Sequence, residues 1–368
     1  MAVDAVILGG GCIGASVAYH LAEAGLTDVM LLEANTLASG STSKAAGGIR
    51  LQHGDPLNIR LAQRSLAELV DFEQLTGIDI ALRQVGYLFL ISSPSDLTMF
   101  DRSVALQQSL DVPVRTLTPA EAGELVPELV TDDLVGATFC PSDGYATPES
   151  LVQGYAGAAR RRGVTVRQGE RAVRIVTANG RVQGVQTGRG ELIATSTVIC
   201  AAGIGSRSIA ATAGVDLPVS PERRRIFFSS HSGGIADGVP LTVDFATGFY
   251  FHREGPGLLF GGRELGTEEL LAPAAQRLPV IAELPLSTSW QGDYDMSPDH
   301  NAMVGRAERL DGFYYATGFS GHGFQLSPAV GEHLAELVTG RAPSIDLTPF
   351  RAERFAEVDG NRAEPIVI

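Results

Sequence analysis

Three glycines near the start of the chain have the spacing of a phosphate-binding turn. Gly9, Gly11 and Gly14 separate the apolar run from Val3 to Leu8 from a stretch with helical spacing. In this pattern the first glycine makes the turn, the second admits a pyrophosphate, and the third lets the helix pack on the strand. Glu33 follows Gly14 by nineteen residues, at the end of the next apolar run, where a carboxylate can accept bonds from ribose hydroxyls. The sequence therefore predicts dinucleotide binding.

The glycine pattern alone does not choose between a nicotinamide and a flavin dinucleotide. The polar loop Ser41-Thr42-Ser43 could supply further pyrophosphate contacts, and a buried strand ending at Ala202-Gly203 would allow close ligand approach. The segment 318–325, GFSGHGFQ, precedes a helix predicted over Pro328 to Val338. A helix N-terminus there, with His322, could stabilise negative charge on a reduced flavin ring. These features favour a flavin, although each also fits an ordinary loop, strand or cap.

The wider pattern predicts an α/β fold whose nucleotide-binding domain is assembled from separated pieces. We expect this Rossmann-like domain in residues 1–80, 143–216 and 298–340. The stretches 81–142 and 217–297 should form an interleaved α+β substrate domain on a mostly antiparallel sheet, with 341–368 as a C-terminal extension. Asn179-Gly180 between two β-prone runs predicts a hairpin.

Composition excludes several classes of protein. The 368 residues are 44% hydrophobic with a net charge of −14, which argues against disorder and against nucleic-acid or anionic-membrane binding. No uncharged apolar run reaches the ~18 residues of a membrane span. Three cysteines and no clustered His/Cys spacing imply neither a disulfide framework nor a metal site. We expect a cytoplasmic protein, because Asp4 and the absence of a basic residue before Lys44 disfavour a secretory signal.

Several segments resemble the FAD-dependent D-amino-acid oxidase superfamily, which includes sarcosine oxidase and glycine oxidase. They are VILGGGCIGASVAYHLAEAG, SKAAGGIR, VICAAG and YYATGFSGHGFQLSPAVGE. Two further stretches, GGIRLQHGDPLNIRLAQRS and QVGYLFL, look most like the β subunits of dye-linked L-proline dehydrogenase and heterotetrameric sarcosine oxidase. The resemblance implies oxidation of the C–N bond of an amino acid or secondary amine, such as proline, hydroxyproline, sarcosine or a D-amino acid. A hydride would pass from carbon to flavin N5 and leave an imine.

The resemblance also implies a set of residues that contact FAD. These are Gly9, Gly11, Cys12, Ile13, Gly14, Glu33, Ala34, Ser41, Thr42, Ser43, Ala46, Gly47, Gly48, Val173, Ala202, Gly203, Gly321, His322, Gly323, Phe324 and Gln325. Monomeric sarcosine oxidase attaches its flavin through a Cys, whose place is taken by Gly292, so we expect non-covalent FAD. Leu259 replaces the Lys that assists the oxygen reaction there, which favours a dehydrogenase over an oxidase.

The same resemblance implies substrate-positioning residues and no obligatory catalytic base, because an amine that binds neutral needs none. Arg50 is the candidate for the substrate carboxylate, since a guanidinium pairs with it bidentately. Tyr250, Arg263 and Tyr294 are expected to line the pocket. Gln325 stands where sarcosine oxidase has a Lys after its Gly-His-Gly-Phe motif, so a sarcosine-like binding mode is open to question.

Three functional hypotheses remain at this stage. The first is a flavoenzyme acting on CH–NH or CH–NH₂ donors. The second is a subunit of a heteromeric dehydrogenase that is inactive alone, with partner subunits or homo-oligomer formation left open. The third is a nicotinamide dehydrogenase, which would not need the glycine-rich helix start near residue 321.

Overall fold

Two large sheets organise the chain in this computed structural model, which describes residues 2–263, 266–357 and 363–366. The strands are β1 Ala5–Leu8, β2 Val29–Glu33, β3 Gly48–Ile49, β4 Tyr87–Ile91, β5 Arg115–Leu117, β6 Gly136–Cys140, β7 Gly144–Tyr145, β8 Thr165–Gln168, β9 Ala172–Ala178, β10 Arg181–Thr187, β11 Leu192–Ala194, β12 Val198–Cys200, β13 Ser220–Ser229, β14 Leu241–Asp244, β15 Tyr250–Glu254, β16 Gly257–Gly262, β17 Leu286–Met296, β18 Met303–Arg306 and β19 Phe313–Thr317. The α-helices are α1 Cys12–Glu23, α2 Pro56–Val70, α3 Phe72–Thr76, α4 Pro94–Ser109, α5 Pro119–Leu125, α6 Pro148–Arg161, α7 Ser206–Ala211, α8 Thr267–Arg277 and α9 Gly323–Val338.

The first sheet has the order β18-β19-β12-β1-β2-β8, in which only the β18–β19 pair is antiparallel. Its central strand β1 lies between β2 and β12, with Val6 opposite both Met30 and Val198. The strands β1 and β12 are apolar throughout and buried, as parallel strands covered on both faces require. All six strands come from the segments predicted to bind the nucleotide. The mixed α/β fold class predicted from the sequence is confirmed.

The second sheet has the order β17-β13-β16-β15-β14-β4-β6-β5 and is antiparallel except for the β14–β4 pair. Its strands all come from within residues 81–142 and 217–297, the two stretches assigned to the substrate domain. The remaining strands form a β11-β10-β9 sheet and a β3-β7 pair. The hairpin at Asn179-Gly180 is confirmed, since both residues adopt the positive φ angles that a tight β9–β10 turn needs.

Helix α1 is the packing centre of the first sheet's helical layer. It is apolar on nearly every side and is buried from Cys12 to Ala22 between the sheet and the helices α6 and α9. The contact with α9 is close at Gly331, where an added Cβ would lie 2.1 Å from Ser16 Oγ. This packing fixes the N-termini of α1 and α9 relative to each other.

The structure corrects the predicted start of α9. Proline was expected to open the helix at Pro328, but the helix begins at Gly323 and Pro328 lies inside it. An internal proline leaves a carbonyl one turn earlier without its amide donor. Here the Ser327 hydroxyl donates to that Phe324 carbonyl at 2.8 Å, so the cost of the proline is reduced. The correction matters because it places Gly323 and Phe324 on the helix N-terminus itself.

Within residues 2–263, 266–357 and 363–366, no helix combines the length and the apolar character needed to cross a bilayer. The C-terminal extension predicted over 341–368 includes residues 358–362 and 367–368, which lie outside the described residues.

Candidate active site

The glycine turn has the geometry that its spacing predicts. Gly9 has φ = 108°, a conformation that disfavours any side chain, and it joins β1 to the helix α1. A Cβ on Gly14 would lie 1.9 Å from the Gly9 carbonyl oxygen, so the turn can only close against the helix if residue 14 is glycine. Neither α1 nor α9 carries an acidic residue in its first turn. Both N-termini therefore keep their partial positive charge for an anionic ligand.

Glu33 ties the end of β2 to this turn. One of its carboxylate oxygens accepts a hydrogen bond from the Gly10 amide and the other accepts one from the Asn35 amide, each at 2.7 Å. Each oxygen keeps a second lone pair, which a ribose hydroxyl can use. The acid thus orders the turn and presents acceptors at the cavity described next.

A cavity of about 530 Å³ connects Glu33, the glycine turn and the N-terminus of α9. It is lined by most of the residues predicted to contact the cofactor. Those residues are Gly9, Gly11, Cys12, Ile13, Glu33, Ala34, Ser41, Thr42, Ala202, Gly203, Gly321, Gly323 and Phe324. Cys12 is a small buried residue, and burial raises the pKa of its thiol to about 11. Such a thiol packs in the turn and does not act as a nucleophile. An elongated, glycine-lined cavity with two helix N-termini fits a dinucleotide.

A second cavity, of about 70 Å³, adjoins the first and shares Ala45, Tyr294, Gly321 and Phe324 with it. It is also lined by seven further residues that were predicted for the flavin loop, the turn before α9 or the substrate pocket. They are Ala46, Gly47, Gly48, Arg50, Tyr250, His322 and Gln325. The structure therefore brings residues about 275 positions apart, such as Arg50 and Gln325, to one small site; the Gln325 side chain accepts a hydrogen bond from the Arg50 amide at 2.7 Å.

The turn before α9 joins the two cavities. Gly321 has φ = 89°, and a Cβ there would lie 2.7 Å from the ring of Tyr294, so glycine lets that ring pack on the turn. His322 caps the helix by position, without a side-chain cap bond. Its imidazole instead faces Arg50, whose Nη2 donates to His322 Nε2 at 2.8 Å.

Arg50 is buried, with 3% of its surface exposed, and its guanidinium is held by neutral acceptors. Besides His322 it donates to the Gln52 carbonyl and, at 2.6 Å, to the Ile366 carbonyl. Among the described residues, no carboxylate lies within ion-pair distance of it. The Arg50 charge acts on the buried Asp143 carboxyl, but burial raises the pKa of that group to about 7, so it is only partly ionised at neutral pH. A buried cation with so weak a counter-charge is unfavourable, so an anionic group of a ligand would stabilise it.

Burial keeps the imidazoles and phenols in and beside the small cavity uncharged. It lowers the pKa of His322 and of His53 well below the ordinary imidazole value, and the Arg50 charge lowers both further. Burial also raises the pKa of the Tyr294 and Tyr250 hydroxyls, the latter well above its usual range. These side chains can donate or accept hydrogen bonds at neutral pH, but neither phenolate nor imidazolium is available there.

Four predicted residues lie outside both cavities. Gly14 acts in packing, as described, and Ser43 belongs to the turn next to Thr42. Val173 is 44% exposed, whereas its neighbours Arg171 and Ala172 line the larger cavity. Arg263 differs from its prediction as a pocket residue, because β16 ends at Gly262 and the next side chain lies exposed against the Gly248 turn.

Several cavity residues were not predicted. Lys44 and Asp295 line the larger cavity, and burial raises the pKa of the Asp295 carboxyl to about 6. Gly292, named only as the site of a missing Cys, lines it too, with Lys44 so near that a Cβ on Gly292 would lie 2.4 Å from the Lys44 Cβ. The small and polar run around Lys44 signalled a loop, but nothing local showed that the loop meets β17.

In the parts of the chain that the structure describes, no three His, Cys, Asp or Glu side chains are grouped as metal ligands.

Asp299 accepts two hydrogen bonds from the guanidinium of Arg354, each at 2.9 Å, in a fully buried ion pair. That pair holds residues after α9 against the turn that precedes β18.

Residues 4–337 match the protein family described as DAO, FAD dependent oxidoreductase. The chain belongs to this family. It is therefore an FAD-dependent oxidoreductase, as the glycine turn, the two helix N-termini and the elongated cavity indicate. The nicotinamide alternative is set aside, and the predicted cofactor is confirmed.

Solved structures support the same fold. The L-proline dehydrogenase from P. horikoshii superposes with a TM-score of 0.90 at 29% identity, covering 96% of this chain and 98% of that one. Glycine oxidase from Geobacillus kaustophilus gives 0.85 at 26% identity, covering 95% and 98%.

Curated relatives extend further than this chain. The 4-methylaminobutanoate oxidase (formaldehyde-forming) of Paenarthrobacter nicotinovorans is 30% identical over 98% of this chain but only 46% of its own length. Human mitochondrial sarcosine dehydrogenase is 28% identical over 96% of this chain and 41% of its own length. The chain thus spans less than half of each of these two relatives.

Proposed function

We propose that the protein oxidises the C–N bond of an amino acid or secondary amine that carries a carboxylate. The observation that carries this proposal is the buried Arg50 guanidinium, held by neutral acceptors beside a small cavity that opens onto the flavin cavity. A substrate carboxylate would supply the missing negative charge. The relatives and solved structures named above include amine and amino-acid oxidoreductases, which supports the same substrate class.

The other residues of the small cavity position the substrate. Tyr250 and Tyr294 are neutral hydrogen-bonding groups on its wall, and Tyr294 also faces the larger cavity. Gln325 fixes the backbone of Arg50. Among the described residues that line the small cavity, no side chain is poised as a base, because His322 is neutral and its Nε2 already accepts a hydrogen bond from Arg50. The substrate amine should therefore bind in its neutral form.

FAD, when bound, supplies the redox chemistry by accepting the hydride from the carbon next to nitrogen. The chain's part is to hold the pyrophosphate at the α1 N-terminus and to set the α9 N-terminus, through Gly323 and Phe324, beside the larger cavity. The partial positive charge of that second helix end would stabilise negative charge that develops on the ring. We propose non-covalent FAD and a dehydrogenase, because the resemblance to monomeric sarcosine oxidase implies that Leu259, on the strand β16, replaces its oxygen-activating Lys.

The test is an anaerobic titration of the holoenzyme with matched ligands. L-Proline and sarcosine should bleach the flavin in the native protein, whereas pyrrolidine, which lacks the carboxylate, should require a far higher concentration. In an Arg50→Met variant this preference for the carboxylate should disappear. Equal responses to proline and pyrrolidine in the native protein would contradict the proposal.

Re-oxidation of the bleached enzyme then distinguishes the electron acceptor. A dehydrogenase is re-oxidised faster by an artificial dye than by air, and rapid re-oxidation by air would instead indicate an oxidase. The same assay on the isolated chain tests whether it is active without partner subunits.

A further inference from the structure

A segment more than 300 residues along the chain from Arg50 reaches its guanidinium. In residues 363–366, Ile366 is fully buried, and its carbonyl accepts the hydrogen bond from Arg50 Nη2. The Ile366 side chain belongs to the apolar cluster that also contains Tyr87 and Tyr250, two residues that line the small cavity. The segment thus contacts both the cation and the apolar residues of the proposed substrate site.

Glu364 docks this segment independently of Arg50. Its carboxylate is 2% exposed and accepts hydrogen bonds from the Gly54 amide at 2.8 Å and from Asn58 Nδ2 at 2.9 Å. It also accepts one from the Ile366 amide at 3.1 Å, which fixes the turn of the segment itself. Gly54 and Asn58 lie at the N-terminus of α2, where the helix dipole favours a negative charge.

His53 adds a second link between the segment and the site. Its Nε2 faces the Gln325 side-chain amide at 3.4 Å and therefore acts as the acceptor, which places the imidazole proton on Nδ1. That nitrogen lies 3.9 Å from Glu364 Oε2 and has no hydrogen-bond partner of its own. The carboxylate thus attracts the proton of a neutral, buried imidazole whose other nitrogen faces the small cavity's Gln325.

We propose that Glu364 to Ile366 is a positioning element that sets the Arg50 guanidinium for the substrate carboxylate. His322 and the Ile366 carbonyl take both protons of Nη2, and the Gln52 carbonyl takes one proton of Nη1. The second Nη1 proton and the Nε proton have no acceptor among the described residues, and these are the donors left for a ligand. They lie on different edges of the guanidinium, so the substrate carboxylate would accept a single hydrogen bond there and not the bidentate pair expected from the sequence. This proposal rests on the proposed function, in which Arg50 binds that carboxylate.

Undocking the segment should free the guanidinium to turn. In Glu364→Gln, an amide NH₂ replaces one of the two acceptor oxygens in a site made of N–H donors, which weakens the docking. A chain lacking residues 364–368 removes the Ile366 carbonyl altogether. Glu357→Gln is the matched control, because it makes the same change seven residues earlier at a side chain that is half-exposed and that forms an ion pair, within the described part of the chain, with Arg351 alone.

The first measurement is the dissociation constant of pyrrole-2-carboxylate for the holoenzyme, read from the flavin spectrum. We expect an increase of about tenfold in Glu364→Gln and in the shortened chain, and none in Glu357→Gln. The KM for pyrrolidine should stay within twofold in Glu364→Gln and in Glu357→Gln, which separates positioning of Arg50 from general damage to the site. Tighter binding in the shortened chain would overturn the proposal, because it would show that the segment competes with the carboxylate.

The second measurement needs no ligand. Labelling of Arg50 by phenylglyoxal, located by mass spectrometry, should be several-fold faster in Glu364→Gln and in the shortened chain than in the native protein or in Glu357→Gln. Unchanged labelling together with unchanged binding would refute the positioning role. If Arg50→Met binds pyrrole-2-carboxylate as the native chain does, or neither binds it, the proposed function fails instead, and labelling alone then decides whether the segment positions Arg50.

Discussion

Replacing Glu33 by glutamine tests how β2 and the glycine turn hold the cofactor. The change keeps the size of the side chain but converts one of its two acceptor oxygens into an NH₂ group. That group must face either the Gly10 amide or the Asn35 amide, each of which now donates at 2.7 Å. One charge-assisted bond is therefore lost while the other persists in a neutral form.

The expected size follows from these two bonds. A hydrogen bond to a charged group contributes about 1.5–3 kcal/mol, and Glu33 is only partly buried, so the lower end of that range applies. About 1.5 kcal/mol corresponds to roughly a tenfold change in an equilibrium constant. Since we propose that the turn binds the pyrophosphate and that the acid binds the ribose, this loss should be seen as a roughly tenfold increase in the dissociation constant of FAD.

The assay is titration of the apoprotein with FAD, followed by quenching of flavin fluorescence. Glu23→Gln serves as the control, because Glu23 lies at the other end of α1, is 41% exposed and pairs with Arg162. A dissociation constant for Glu33→Gln within twofold of both the native protein and the control would refute the proposed role of the acid.

Three further predictions concern stability and the turn before α9. Burial raises the pKa of Asp143 to about 7, so below that pH the folded chain binds a proton that the unfolded chain has lost, and the stability from this proton disappears as the pH rises from 4 to 8. The free energy of unfolding, measured by chemical denaturation, should therefore fall over this range by a few kcal/mol more in the native protein than in Asp143→Asn. Parallel curves for the two proteins would contradict this. Arg354→Met leaves the buried Asp299 carboxylate without its bidentate partner and should lower the free energy of unfolding by about 3–5 kcal/mol, whereas a shift below 1 kcal/mol would show that the pair is not isolated from water. Gly321→Ala places a methyl group 2.7 Å from the Tyr294 ring at a residue whose φ is 89°, so it should weaken ligand binding in the small cavity while FAD still binds. Unchanged ligand affinity would count against the role of this turn.

The sequence predicted what depends on local spacing. The turn from Gly9 to Gly14, the acid at the end of β2 and the hairpin at Asn179 are each specified by residues within one or two elements. Their conformations follow from steric limits on φ and from the alternation of strand and helix. The predicted cofactor residues that line the larger cavity followed from these elements together with the family resemblance.

The residues that the sequence did not reveal are set by contacts between distant segments. Lys44 faces the flavin cavity because its loop meets β17, and Ile366 reaches Arg50 because Glu364 docks on α2. No local pattern encodes either contact. The start of α9 was missed for a different reason, since the Ser327 hydroxyl compensates for a proline that usually marks a boundary.

We propose that one FAD binds between the glycine turn and the α9 N-terminus and that a carboxylate-bearing amine reduces it. The most direct measurement is anaerobic spectrophotometry of the purified chain after reconstitution with FAD. We expect about one flavin per chain, which L-proline, sarcosine or a related amino acid bleaches in the absence of oxygen. A chain that takes up no FAD, or one whose bound flavin stays oxidised with every D- and L-amino acid and N-methyl amine supplied, would contradict it.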